Sequence, residues 1–218
     1  TINITASDMG FYEDIKAWTR RTGNELLDVK KDKGLIKASI RKGLSAKEDN
    51  LTVSCNSNKT GNAENMTMVV FSGDLDKAIA SFIIANGAAA MNKKVTLFFT
   101  FWGINILRKS AHAPVEKNFI EKMFGFMMPK GSKKLGLSKM NMGGIGPKMI
   151  RSIMEKKNVQ SLEELIKAAM DSGVEIVACQ MSMDLLGIKE EELLDGVKFG
   201  GVGYMLAESD ESNATLFI

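Results

Sequence analysis

The sequence predicts a three-layer α/β/α domain on a mainly parallel sheet of about five strands, preceded by a small β-α-β-β unit. Three observations predict it. From residue 67 onward, short apolar runs alternate with helix-patterned segments, the order that gives parallel strands joined by crossover helices. The first two of these runs, 67–71 and 95–101, are nearly continuously apolar, as strands covered on both faces are. The first 42 residues alternate instead, and a polar stretch, 43–66, divides them from the rest.

Each element has its own signal. Ile2 and Ile4 alternate with polar residues over 1–5, a strand. Ser7 and Asp8 cap a helix over 11–22, where Phe11, Ile15 and Trp18 share a face. Residues 25–30 and 35–42 flank Asp32-Lys33-Gly34 as a hairpin. Residues 43–66 are rich in Asn, Ser, Lys and Gly without a sustained period, which reads as a linker. Strands are then expected at 67–71, 95–101, 175–179, 197–199 and 215–217. Helices are expected at 74–91, at 115–127 opened by Pro114, at 147–156, and at 162–170. Ser161 and Glu164 form a capping box for the last of these. Short helical pieces follow at 182–186 and 189–194, and a helix over 202–207 lies between the last two strands.

Composition bounds the function. The 218 residues hold 29 Lys+Arg against 26 Asp+Glu, a charge of +3 that gives no reason to expect nucleic acid. Two cysteines, Cys55 and Cys179, cannot build a disulfide scaffold or a four-cysteine zinc site, and the single His112 excludes multi-histidine metal sites. The most apolar stretches, 79–91 and 95–107, are separated by Asn92-Lys93-Lys94, so each falls short of the ~20 residues of a membrane span. The opening TINITAS is polar and no secretory signal is expected, which with few cysteines predicts a reducing cytoplasm.

Cys179 is the sharpest chemical feature. It ends the strand 175–179, and a helix starts directly after it, so backbone N–H groups and the positive end of a helix dipole favour negative charge at the sulfur or beside it. The pattern equally fits a buried structural cysteine. Residues 122–154 carry six lysines (122, 130, 133, 134, 139 and 148) and Arg151 without one acid, whereas 155–218 carry 13 acids and 5 Lys/Arg. Within the basic stretch, 129–147 has no apolar period and several glycines. A loop that long is functional or disordered as a rule, and it is expected to be a mobile cover over Cys179. Lys133, Lys134 and Lys139 would then supply a positive field, with Ser182, Gly143 and Gly144 beside a bound anion. A plain solvated surface loop fits the lysines as well. Seven of the 15 methionines fall between Met123 and Met154, which suits adaptable packing or an adaptable binding surface. Phe101, Trp102 and Asp74 lie at carboxyl ends of strands, where a pocket wall would stand. Cys55 sits in the linker, and no Cys55–Cys179 disulfide is expected.

Four segments carry a resemblance. MTMVVFSGDLDKAIASFIIANGAAAM, VTLFFTFWGINILRK, MMPKGSKKLGLSKMNMGG and VACQMSMDLLGI, in that order, closely resemble the DsrE/DsrF-like family of sulfur-relay proteins over about 66–218. ASDMGFYEDIKAWTRRTGNELL and IRKG resemble the later part of a TusA-like sulfur carrier over about 1–42. The Cys-Pro motif of those carriers has no counterpart here, and Thr19 stands where relatives often have Cys.

The resemblance implies a DsrEFH-like fold and puts the sulfur-binding cysteine at Cys179. It implies a persulfide or thiosulfonate carrier, a sulfurtransferase module needing no cofactor and no metal. Its implied partners are other sulfur-carrier or rhodanese-type proteins, small sulfur species and further copies of itself. It also implies the tail of a multidomain polypeptide of the CoA-disulfide-reductase and rhodanese type. Two other readings stay open on the residues alone: a nucleotide- or flavin-binding module using the Gly143–Gly146 turn, and a non-catalytic assembly domain.

Overall fold

The computed structural model describes residues 1–6, 15, 19, 24–32, 35–43, 65–110, 115 and 117–218. The chain divides into two compact units, Thr1–Gly61 and Asn62–Ile218. The expected helix residues Phe11 and Trp18, most of the linker, and Pro114 lie outside the described residues.

In the first unit, β1 (Ile2–Ala6), β2 (Glu25–Asp32) and β3 (Leu35–Arg41) form an antiparallel sheet in the order β1-β3-β2. The hairpin closes with Asp32 opposite Leu35, as the alternation predicts. Ile15, Ala38 and Ile40 are buried together, with Ile4, Leu26 and Val29 packed against them.

The second unit is a five-stranded parallel sheet. Its elements run in chain order β4 (Asn65–Val70), α1 (Leu75–Ala90), β5 (Lys94–Phe99), a 3₁₀ segment (Phe101–Leu107), α2 (Phe119–Met127), α3 (Ile145–Lys156), α4 (Leu162–Asp171), β6 (Glu175–Cys179), α5 (Gln180–Leu186), β7 (Lys198–Gly200), α6 (Val202–Asp210) and β8 (Ser212–Phe217). The strand order is β7-β6-β5-β4-β8, all pairs parallel. The last crossover, through α6, therefore carries the chain from one edge of the sheet to the other.

Both faces of the three central strands are buried, which is why their sequences do not alternate. On one face Met68, Val70, Leu97, Phe99, Ile176 and Ala178 join the main core. α1 closes that face with Leu75, Ala78, Phe82 and Ala85, one helical stripe. Phe82 stacks on Phe99 at 5.9 Å, and each such buried ring contributes roughly 1.5–3 kcal/mol. Alanines along α1 let α4 come close, and Asn86 Nδ2 donates to the Leu165 carbonyl at 3.0 Å. On the opposite face Val69, Phe98, Val177 and Cys179 form a second cluster, covered by Tyr204 and Met205 of α6.

Three expectations change. The strand expected over 95–101 ends at Phe99, and a 3₁₀ segment begins at Phe101. The helix expected over 115–127 starts at Phe119, because Asn118 and Glu121 set its beginning: the Asn118 N–H donates to Glu121 Oε2 at 2.8 Å. The stretch 129–147 is packed, with a 3₁₀ turn at Ser132–Lys134, another at Met142–Gly144, and Leu135 only 2% exposed.

Candidate functional site

The carboxyl ends of β4, β5 and β6 lie side by side, and the turns leaving them are fitted backbone to backbone. The Thr100 N–H donates to Val70 O at 3.1 Å, and the Gly103 N–H to Phe71 O at 2.9 Å. A Cβ on Gly103 would lie 2.1 Å from Val70 O, and one on Gly73 2.7 Å from Trp102 O, so both positions need the smallest residue. Between these contacts Phe101 adopts φ +45°, a left-handed conformation costly for a bulky residue. Its ring lies 5.3 Å from that of Phe71, which stacks on Phe217 at 5.8 Å. Trp102 is 47% exposed.

Cys179 is the last residue of β6 and the N-cap of α5, paired across the sheet with Gly200 of β7. Its thiol is free and the residue is 1% exposed. Ser182, in the first turn of α5, is fully buried, and its hydroxyl lies 2.8 Å from that of Thr100. That bond ties the start of α5 to the end of β5.

The cover over Cys179 is α6, which the sequence did not single out. α6 is held at two points. Tyr204 donates its hydroxyl to Glu175 Oε1 at 2.7 Å, and Glu208 accepts from Lys94 at 2.8 Å and from Thr96 at 3.0 Å. Burial, then the bond to Glu175, pushes the Tyr204 phenol well above its ordinary range. Burial works against the Glu175 carboxylate, but the hydrogen bonds from Lys198 and Tyr204 prevail and hold it below the usual range.

The stretch 129–147 is placed otherwise than expected. Leu135 joins the core on the α1 face of the sheet, whereas Cys179 packs on the α6 face. The stretch is pinned to the start of α1: Leu75 N–H donates to Gly136 O at 2.7 Å, and Ser138 donates to Asp76 from both its N–H and its hydroxyl. A further bond runs from Arg151 to Ser132 O at 2.7 Å. Lys133, Lys134 and Lys139 are exposed. Gly143 and Gly144, at φ +64° and +94°, turn the chain into α3. Asp74 accepts from Ser72 at 2.7 Å and pairs with Lys77 at 3.0 Å. The structure thus brings Cys179, Ser182 and Thr100 together at one edge, with Phe101 and Trp102 in the turn that follows Thr100. Cys55 and His112 lie outside the described residues.

A second unanticipated feature is an ion cluster beside the 3₁₀ segment. Arg108, 2% exposed, donates to Glu192 Oε1 at 3.1 Å, and Lys117 pairs with Glu192 Oε2 at 2.5 Å. Its members are dispersed from 108 to 192, so no local motif announces them.

The fold and this edge define a parallel α/β protein with a buried cysteine, Cys179, at the carboxyl end of a central strand. The chain belongs to the DsrE/DsrF/DrsH-like family, which it matches over residues 62–217. It is 55% identical over 159 residues to the uncharacterized protein YrkE of Bacillus subtilis (strain 168), covering 73% of this chain and 99% of that one. It is 34% identical over 157 residues to the sulfur carrier protein DsrE2 of Allochromatium vinosum, covering 70% and 97%. The solved structure of the ychN protein from E. coli aligns with a TM-score of 0.42 at 11% identity, covering 71% of this chain and 98% of that one.

Proposed function

We propose that the protein is a carrier in a sulfur relay and that Cys179 holds the sulfur. The observation that carries the reading is the place of Cys179 at the end of β6, in a chain 34% identical to a protein named as a sulfur carrier. The Cys179 thiolate attacks the outer sulfur of a donor persulfide, R–S–SH. An S–S bond forms between Cys179 and the transferred sulfur, the donor S–S bond breaks, and its electron pair leaves on R–S⁻. The proton stays on the transferred sulfur, and nothing is oxidised or reduced overall. Delivery repeats the step, with an acceptor thiolate attacking the outer sulfur of the Cys179 persulfide.

Burial beneath α6 shelters a persulfide from stray thiols, and α6 must give way for donor and acceptor to reach it. Ser182, fixed by Thr100, orients the first turn of α5 beside the sulfur. Lys133, Lys134 and Lys139 act at a distance, steering anionic donors at a rate that falls with salt. In this reading Thr1–Gly61 contains a TusA-like unit without a carrier thiol, and the chain works in the cytoplasm with rhodanese-type or other carrier partners. Copies of the chain associate through the exposed aromatic edge at Trp102 and Phe217.

The test is delivery. Protein loaded with polysulfide and freed of excess should convert glutathione to glutathione persulfide in about one equivalent. Cys179→Ser should deliver none. Equal delivery by the variant would remove Cys179 from the mechanism.

A further inference from the structure

The end of α2 and the turn before α3 make an exposed apolar face on the second unit. Phe126 and Met127 are 90% and 73% exposed, while Met128 turns inward at 7%. With Lys130, Lys134, Gly144 and Pro147 they line a cleft of about 630 Å³. Ile145, Met149 and Ile153, all at least 41% exposed, form a separate row on the side of α3 turned away from Pro147. Isolated exposed apolar side chains need no explanation, but a continuous set does.

The charge lining this cleft has one sign: Lys130 and Lys134 stand in its wall and, among the described residues, no acid does. Six lysines, 122, 130, 133, 134, 139 and 148, fall in a stretch without acids, and among the described residues none of them has an ion-pair partner. Asp76 is engaged with Ser138 and Glu163 with Arg151, and Glu155 lines a different pocket. A symmetric contact with a second copy would set lysine against lysine. The cleft is concave, which suits a protein segment better than a bilayer surface. Methionine-rich surfaces adapt to the apolar side of amphipathic helices, and Met127 and Met128 line this cleft.

We propose that this face docks an acidic amphipathic segment of a partner protein, its apolar residues in the cleft against Phe126 and Met127, its carboxylates on Lys130 and Lys134. The proposal stands whether or not Cys179 carries sulfur.

The probe is a labelled helix-forming peptide of about 18 residues with leucines on one face and glutamates elsewhere. Fluorescence anisotropy with the full chain should show saturable binding that weakens as salt rises. The same peptide with lysine for glutamate should not bind. Phe126→Ser/Met127→Ser and Lys130→Glu/Lys134→Glu should each weaken binding about tenfold, a change of about 1.4 kcal/mol, with unchanged circular dichroism. No binding by the wild type, equal binding of both peptides, or undiminished binding by both variants would overturn the proposal. So would co-sedimentation with anionic phospholipid vesicles in place of peptide binding, or Phe126→Ser/Met127→Ser turning an oligomer into monomers in light scattering.

Discussion

Gly103 sits where the turn after β5 meets the end of β4, with no room for a side chain against the Val70 carbonyl. Gly103→Ala forces that turn away from β4, and overpacking of this kind costs about 1–3 kcal/mol. Thermal unfolding of the variant should start several degrees below the wild type; an unchanged midpoint would mean that the turn yields freely. At this scale part of the site was legible. Cys179 stood out because an apolar run ended on it and a polar helix start followed. Its burial was one of two readings, but what buries it was not legible, because Tyr204 and Met205 lie on an element whose sequence gives no sign that it crosses the sheet. The strained backbone of Phe101 was equally silent, since no glycine or asparagine marks the position.

Among the elements, α4 shows how local signals hold up. Ser161 accepts from the Glu164 N–H at 3.3 Å, and Glu164 accepts from the Ser161 N–H at 2.7 Å, the reciprocal cap its sequence announces. Ser161→Ala should cost about 1 kcal/mol in denaturant unfolding with an unchanged slope. The stretch 129–147 shows the opposite. It lacks a period because irregular turns and side-chain bonds hold it in place of a repeating face. Its anchor on Asp76 comes from a residue 62 positions away, beyond any local pattern. Asp76→Ala should therefore speed limited proteolysis within 129–147 severalfold, and an unchanged rate would mean that Leu135 and the bonds to Leu75 and Arg151 suffice to pin the stretch. α6 was legible as a helix between two strands, though not as the cover of the second face.

Across the whole molecule, the alternation of apolar runs and helices disclosed the parallel sheet. The strand order was hidden, because which edge β8 joins depends on how α6 crosses. The Arg108–Glu192–Lys117 cluster gives the fold a pH dependence. Burial opposes the Glu192 carboxylate, but hydrogen bonds from Lys117 and the Lys189 N–H, with the charges of Lys117 and Arg108, hold it below the usual range. A lowered folded-state value contributes stability that is complete above the unfolded value of about 4.3 and is lost as pH falls through the folded value. Glu192→Gln should cost about 3 kcal/mol at neutral pH, since it leaves Arg108 buried without its counter-charge, and the gap between the two melting curves should close as pH falls through the lowered Glu192 value. A constant gap across that range would place the effect in packing. Light scattering at micromolar concentration should show an oligomer, dispersed by Trp102→Ser/Phe217→Ser; a monomeric wild type would refute self-association. The central claim is that Cys179 carries sulfur, and intact-protein and peptide mass spectrometry after polysulfide treatment tests it most directly. The account predicts one added sulfur atom on the peptide containing Cys179 and none on that containing Cys55. Sulfur on Cys55 alone, or on neither, would contradict it.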